Sequence, residues 1–332
     1  MLGGARDWLA GLGLGEFGAT VLLGVAVIMG FLTFNVLFLI WLERKVSGHI
    51  QRRYGPMEVG FHGSLQTVAD MVKLLGKQIL TPVATDKFVY ILAPVLVFVP
   101  TLCLASLIPV SGAEAFADLP YGLVVLIALS GVSVLAIFMA GWASNNKYAV
   151  LGGMRSVAQV IAYEIPILLA ALSVVLIAQS LNLREIVLAQ AGGVPFILLQ
   201  PVAGVLYFIG ITAETNRAPF DIPEAESELI GGFHTEYSGM RFAMFFFAEY
   251  TNMLVLGALG ATLFLGGWLG PWLPGPVWLL LKAYAVVFVM IWMRWTFPRL
   301  RFDQLMSFAW KLLIPVALVN LVITALVLGG GR

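Results

Sequence analysis

The chain has 332 residues, 60% of them apolar and only 11% charged, with a net charge of +1 and a mean hydropathy of +0.96. A soluble domain carries roughly a quarter charged residues, so this sparse charge complement excludes a water-soluble enzyme and indicates an integral membrane protein. The single cysteine, Cys103, excludes an internal disulfide and any cysteine-based zinc or iron–sulfur site, and three histidines (His49, His62, His234) argue against a protein-bound haem or another metal centre.

A membrane helix needs about 20 apolar residues. The first apolar run, Phe17 to Leu42, is too long for a signal h-region and ends in Glu43-Arg44-Lys45 rather than at a small-residue cleavage site, so it reads as a span. Loop 43–87 follows. Within it Ser64 to Lys77 places Leu65, Val68, Ala69, Val72, Leu75 and Gly76 at 3,4 spacing, with Gln66, Asp70, Lys73 and Lys77 on the other face. This predicts a short amphipathic helix at the cytoplasmic membrane surface, either a plain anchor or a wall at the entrance for a lipid-soluble substrate.

Spans two to four are predicted over 88–108, 121–142 and 157–180, with loop 143–156 before the fourth. Glu164 lies about seven residues into span four. Span five, 196–215, closes at Glu214. Loop 216–241 then carries Arg217, Asp221, Glu224, Glu226 and Glu228, with Pro219 and Pro223 forbidding a continuous helix. It is either a solvated acidic loop or one whose acids bind protons, cations or a partner's basic residues.

Span six, 242–267, carries Glu249 about seven residues in. Spans seven and eight are predicted over 276–295 and 309–328, joined by loop 296–308. Arg294, Arg299 and Arg301 at that join either set topology or pair with the acidic loop. Lys282, near the outer end of span seven, is expected to snorkel to the interface beside a belt of Trp268, Trp272 and Trp278.

The expected fold is thus an all-α polytopic membrane protein: one membrane domain of eight transmembrane helices plus the amphipathic helix. The runs are continuous rather than alternating, which argues against a barrel. Pro94, Pro166 and Pro315 are expected to bend their spans. Fifteen of the 19 Lys and Arg residues fall in or beside the loops after spans one, three, five and seven. Those loops are therefore expected in the cytoplasm and both termini on the outer side.

Glu164, Glu214 and Glu249 lie toward the same side of the bilayer. Intramembrane acids are costly and default to functional sites. They read either as structural hydrogen bonds between helices or as a proton relay. Tyr163 and Tyr250 adjoin two of them in sequence but point elsewhere on a helix.

Several segments carry a family resemblance: ERKVSGHIQRRYGP at 43–56, LQTVADMVKLLGK at 65–77, TDKFVYILAP at 85–94 and GWASNNKYAVLGGMRSVAQVIAYEIP at 141–166. AETNRAPFDIPEAESELIGGFHTEYSGMRFAMFFFAEY at 213–250 and RWTFPRLRFDQLMSFAWKLLIP at 294–315 complete the set. Over nearly its whole length the chain resembles the H subunit of bacterial NADH:quinone oxidoreductase, respiratory complex I, homologous to mitochondrial chain 1.

The resemblance implies a subunit in the bacterial cytoplasmic membrane, at the junction of the membrane and peripheral arms, building much of a quinone chamber. The headgroup would sit near a partner's terminal iron–sulfur cluster. The tail would lie in an apolar tunnel entered between span one, span six and the amphipathic helix. Glu43, Arg44, Lys45, Asp70, Arg217, Asp221, Glu224, Glu226, Glu228, Arg294 and Arg299 would bind or gate the quinone. Glu164, Glu214 and Glu249 would begin a proton path. The family has a further acid in span three, where the run Tyr121 to Trp142 has none.

The substrate implied is ubiquinone or menaquinone. No cofactor is expected on this chain; flavin and iron–sulfur clusters would belong to partner subunits. Partners implied are the peripheral-arm quinone-site subunits, small membrane subunits next to the antiporter-like chains, and membrane lipid, with no nucleic acid. The alternatives are a membrane subunit of an ion-translocating hydrogenase, without quinone, and a stand-alone transporter.

Overall fold

The computed structural model describes residues 15–112, 117–223 and 230–330. Their regular secondary structure is entirely helical. Among the described residues, seven helices are long and apolar enough to cross a membrane: α1 (Gly15–Ile50), α3 (Lys87–Leu107), α4 (Gly122–Ala143), α5 (Lys147–Ala178), α9 (Gly239–Phe264), α10 (Gly275–Thr296) and the helical stretch from Phe302 to Gly330. Between α1 and α3 lies the short α2 (Gln66–Gly76); α6 (Leu183–Ala189) follows α5.

The expected fifth span is broken. One turn, α7 (Phe196–Leu199), precedes α8 (Pro201–Glu214), and Gln200 between them has left the helical region. Proline favours the first position of a helix and cannot continue one through its missing N–H. The freed Gln200 donates from its side chain to Thr324 Oγ1 at 2.8 Å and accepts from Asn320 Nδ2 at 3.0 Å. These contacts satisfy the Gln200 amide, while its backbone N–H and C=O pair with Phe196 and Gly204.

Three helices run further than the apolar runs that announce them. The 36 residues of α1 span about 54 Å at 1.5 Å per residue, against about 30 Å of hydrocarbon. Glu43, Arg44 and Lys45 are therefore on a helix and not in a loop. The apolar run ends there, but Glu, Arg and Lys are good helix formers. The helix stops only near Arg52 and Gly55, both at positive φ.

Helix α5 begins at Lys147, so most of the expected loop 143–156 is helical. The Asn146 side chain caps it by accepting from Tyr148 N at 3.0 Å. Likewise most of loop 296–308 is α11 (Phe302–Phe308), which runs through a π-helical turn (Ala309–Leu313) into α12 (Ile314–Gly330). Pro315, expected to bend its span, sits just past that wide turn, where its missing N–H is accommodated.

Helix α9 is the most enclosed of the long helices. It packs against α1, α2, α3, α8 and α10. The turn before it, Gly232–His234, rests on α5: a Cβ on Gly152 would lie 2.8 Å from Gly232 Cα. Only glycine at 152 permits that approach.

Lys282 is tied to the chain reversal after α9. Its Nζ donates to the carbonyls of Leu265, Gly267 and Leu269 at 2.7, 2.9 and 2.7 Å. It thereby caps the C-terminal end of α9, where carbonyls lack intrahelical donors. Of the expected tryptophan belt, Trp272 is exposed while Trp268 is buried. Trp268 packs on Gly275.

Candidate functional site

Glu43 sits at the centre of a buried charge cluster. Arg217 Nη1 lies 3.1 Å from both Glu43 carboxylate oxygens, and Arg294 Nη1 reaches Oε1 at 2.5 Å. The Tyr250 hydroxyl donates to Oε2 at 2.8 Å. Arg217 also pairs through Nη2 with Glu249 Oε1 at 2.9 Å, and its guanidinium lies 4.5 Å from the Tyr250 ring centroid. Two acids and two arginines thus balance in one place. Burial alone would discourage the Arg217 charge, but Glu43 and Glu249 outweigh it and push its pKa well above the ordinary value.

Four elements supply the cluster. Glu43 comes from the polar extension of α1, Glu249 and Tyr250 from α9, and Arg294 from the end of α10. Arg217 follows α8, after a turn in which Asn216 takes positive φ. The loop carrying it is held by Gln159 of α5, whose Nε2 donates to the carbonyls of Ala213 and Phe220, both at 2.8 Å.

The cluster closes one end of a cavity of about 700 Å³. The remaining lining is mostly apolar, including Met29, Val36 and Leu37 of α1, Phe98 of α3 and Phe246 and Phe247 of α9. Glu43 and Met29 are about 21 Å apart along α1. A fourth wall is α2. Of its predicted apolar face, Leu75 lines the cavity while Leu65, Val68 and Val72 are exposed. The strip facing inward is Thr67, Asp70, Met71, Leu74 and Leu75. That strip also has 3,4 spacing, so α2 has two partly apolar sides, and the more uniform one faces away from the cavity.

Arg44 and Asp70 form the cavity rim, paired at 2.5 Å and partly exposed. Lys45 is turned away. Its Nζ contacts the Tyr54 carbonyl at 3.3 Å and Met57 Sδ at 3.1 Å, fastening the turn after α1. Asp221 and Arg299 pair at 3.2 Å outside the cavity wall. Burial raises the Asp221 pKa above the ordinary value, although Arg299, Arg294 and Arg217 oppose this. Glu224, Glu226 and Glu228 lie outside the described residues.

Behind the cluster is a second, smaller cavity of about 60 Å³, with Thr101, Ser133, Glu214, Asn216, His234, Glu249 and Asn252 among its walls. A water needs only about 10–15 Å³ of such space and two to four polar partners. Glu214 is buried there at the end of α8. Glu164 lines neither cavity; it is half-buried and packs over Gly131 of α4. Tyr163 donates to the Leu305 carbonyl at 3.1 Å, a structural contact.

Two residues of the site had no clear sequence signal. Tyr250 follows Glu249 on α9, about 100° around the helix. Both reach the cluster because Arg217 projects between them, a placement no periodicity announces. His234 lies in the turn before α9 and lines both cavities. Burial lowers its pKa below the ordinary value, while Glu249 and Asp221 pull the other way.

The fold and site define an all-helical, multi-pass membrane protein with a long amphipathic chamber, apolar at one end and closed by compensated buried charge at the other. A family model described as NADH dehydrogenase matches residues 23–325. Curated relatives include the H subunit of NADH-quinone oxidoreductase from Geobacillus kaustophilus, 53% identical over 317 residues covering 94% of this chain and 93% of that one. The corresponding H subunits of Bacillus thuringiensis subsp. konkukian (51%, 94% and 93% covered) and of Dehalococcoides mccartyi strain 195 (47% over 312 residues, 94% and 88% covered) are similarly alike. The chain belongs to this family of respiratory-complex membrane subunits.

Proposed function

We propose that the 700 Å³ cavity is a quinone chamber, and that this chain serves as the membrane subunit of an NADH:quinone oxidoreductase that holds the acceptor and couples its reduction to proton movement. The observation that carries this reading is the polarity gradient along one cavity. A quinone has a polar headgroup and an apolar tail, and the cavity offers hydrogen-bond donors and charge at Glu43, Arg217, Tyr250 and Arg294. From there an apolar lining runs back to Met29. Ligand sites are typically apolar with a few placed polar groups.

The chain supplies orientation and proton chemistry rather than electrons. The redox centres, flavin and iron–sulfur, belong to partner subunits, and the donor side of the complex meets this chain at its cytoplasmic face. The odd-numbered loops face the cytoplasm and both termini the other side. Glu249 stands in the chamber wall, Glu214 behind it and Glu164 beyond, an order suited to a proton path. Charge arriving with the reduced headgroup disturbs the Glu43–Arg217–Glu249 balance. At low effective dielectric, neighbouring charges interact by several kcal/mol, enough to shift protonation of the acids behind.

The test is photolabelling of the assembled complex with a quinone analogue carrying its reactive group on the tail. Labelling within α1, α2 and the first half of α9, suppressed by excess unlabelled quinone, supports the chamber. Labelling confined to other surfaces of this chain, or insensitive to quinone, overturns it.

A further inference from the structure

The chamber and the small cavity behind it share three lining residues, His234, Phe246 and Glu249. Phe246 cannot carry a proton. Glu249 holds Arg217 at 2.9 Å, and its protonation would remove one of two carboxylates that compensate a buried guanidinium. His234 differs from both. Its ring stands among Phe233, Phe242 and Phe246, with centroids 4.9, 5.4 and 6.0 Å away. The turn bearing it is seated on Gly152. An imidazole has a nitrogen on each of two edges, so it can take a proton on one side and release one on the other.

We propose that His234 is the proton-transfer residue joining the quinone chamber to the Glu214 cavity, an assignment that rests on the reading of the chamber and its acids given above. Quinone becomes quinol by taking two electrons, delivered from NADH through the complex, and two protons. In the step assigned here, His234 gives one proton to the depleted chamber side and accepts one from Glu214. The imidazole ends neutral in its other tautomer, Glu214 becomes a carboxylate, and rotation of the ring restores the starting tautomer.

Among the described residues, the charged groups facing the ring include Glu249 on α9, Asp221 on the loop after α8 and Glu214 across the small cavity. Burial lowers the pKa of the ring below the ordinary value, against the pull of Glu249 and Asp221. A neutral ring conducts only while a proton is drawn through it, which suits a gate.

The experiment uses the assembled complex in liposomes, with NADH and a short-tailed quinone, reading charge moved per NADH oxidised with a potential-sensitive dye. Assembly is normalised by NADH oxidation with a water-soluble acceptor. His234→Gln should lower the charge moved per NADH at least twofold and flatten the acid limb of its pH profile. Should that variant fail to assemble, His234→Asn is read in the same way. In His234→Ala, added imidazole should restore the ratio, whereas pyrazole, equal in size but a far weaker base, should not.

A wild-type ratio and pH profile in His234→Gln would overturn the assignment. Equal rescue by imidazole and pyrazole would overturn it too, by showing that the ring only fills space. Glu214→Gln, measured in parallel, separates the two levels. A full ratio in Glu214→Gln sinks the relay and this inference together. A lost ratio there beside a full one in His234→Gln sinks the inference alone.

Discussion

Arg217 and Glu43, 174 positions apart in sequence, meet with one guanidinium nitrogen equidistant, at 3.1 Å, from both carboxylate oxygens. Both side chains are nearly solvent-free, at 3% and 7% exposure. Neither charge is tolerable alone at that depth. Their union ties the loop after α8 to the polar end of α1, and so joins the chamber's closed end to its longest wall.

Glu43→Gln keeps the size of the side chain and removes its charge. Arg217 and Arg294 then face Glu249 with a charge in excess. Breaking a buried pair by removing one partner costs about 3–5 kcal/mol. The assembled complex should melt at a lower temperature, and quinone reductase activity should fall at least tenfold. Unchanged melting and activity would show that the cluster is not held as described.

Thr33 lies on α1 between Met29 and the charged end, in the chamber wall. Thr33→Trp should fill the channel where a tail passes. The KM for a long-tailed quinone should rise about tenfold, a loss of about 1.4 kcal/mol in binding. The KM for a short-tailed analogue should hardly change. Equal effects on both would place the tail elsewhere.

Glu214→Gln removes a titratable group from the small cavity while keeping its hydrogen-bonding capacity. Quinone-linked pumping should be abolished, with NADH oxidation by a water-soluble acceptor retained. Pumping at full stoichiometry in this variant would end the relay reading.

His234 gives stability a pH dependence of definite sign. Its folded pKa is lowered from the ordinary 6.5 by burial. A depressed histidine contributes nothing adverse above 6.5, where both states are neutral. Stability is lost as pH falls from 6.5 toward the folded value, because only the unfolded chain takes the proton. The melting temperature of the wild-type complex should drop between pH 7.5 and 5.5, and His234→Gln should drop less. Parallel curves would mean the ring is not held neutral.

Much of the fold was legible because hydrocarbon imposes long apolar runs, and α3, α4 and α10 follow theirs closely. The helix ends were not, since the membrane border ends an apolar run without ending a helix; α1 and α5 both continue with helix-forming polar residues. The break at Gln200 was hidden because an uncharged glutamine and a proline barely dent the hydropathy of 196–215. Among site residues, Glu43, Arg217, Glu249 and Arg294 were visible as charges where charge is costly. Their pairing was not, because it spans four elements. Lys282 shows the same limit. Its position near a span end suggested snorkelling, and the three carbonyls that hold it, from the chain reversal after α9, left no mark in the sequence pattern. Tyr250 and His234 carry no unusual signal, since tyrosine and histidine are common near membrane interfaces.

Helix α1 carries both the apolar start of the chamber at Met29 and its polar stop at Glu43, on one uninterrupted helix. It therefore works as a ruler. The distance between that apolar start and that polar stop is set by helical rise and is nearly incompressible. His234, which lines both cavities, belongs to a different wall, on the turn seated against α5.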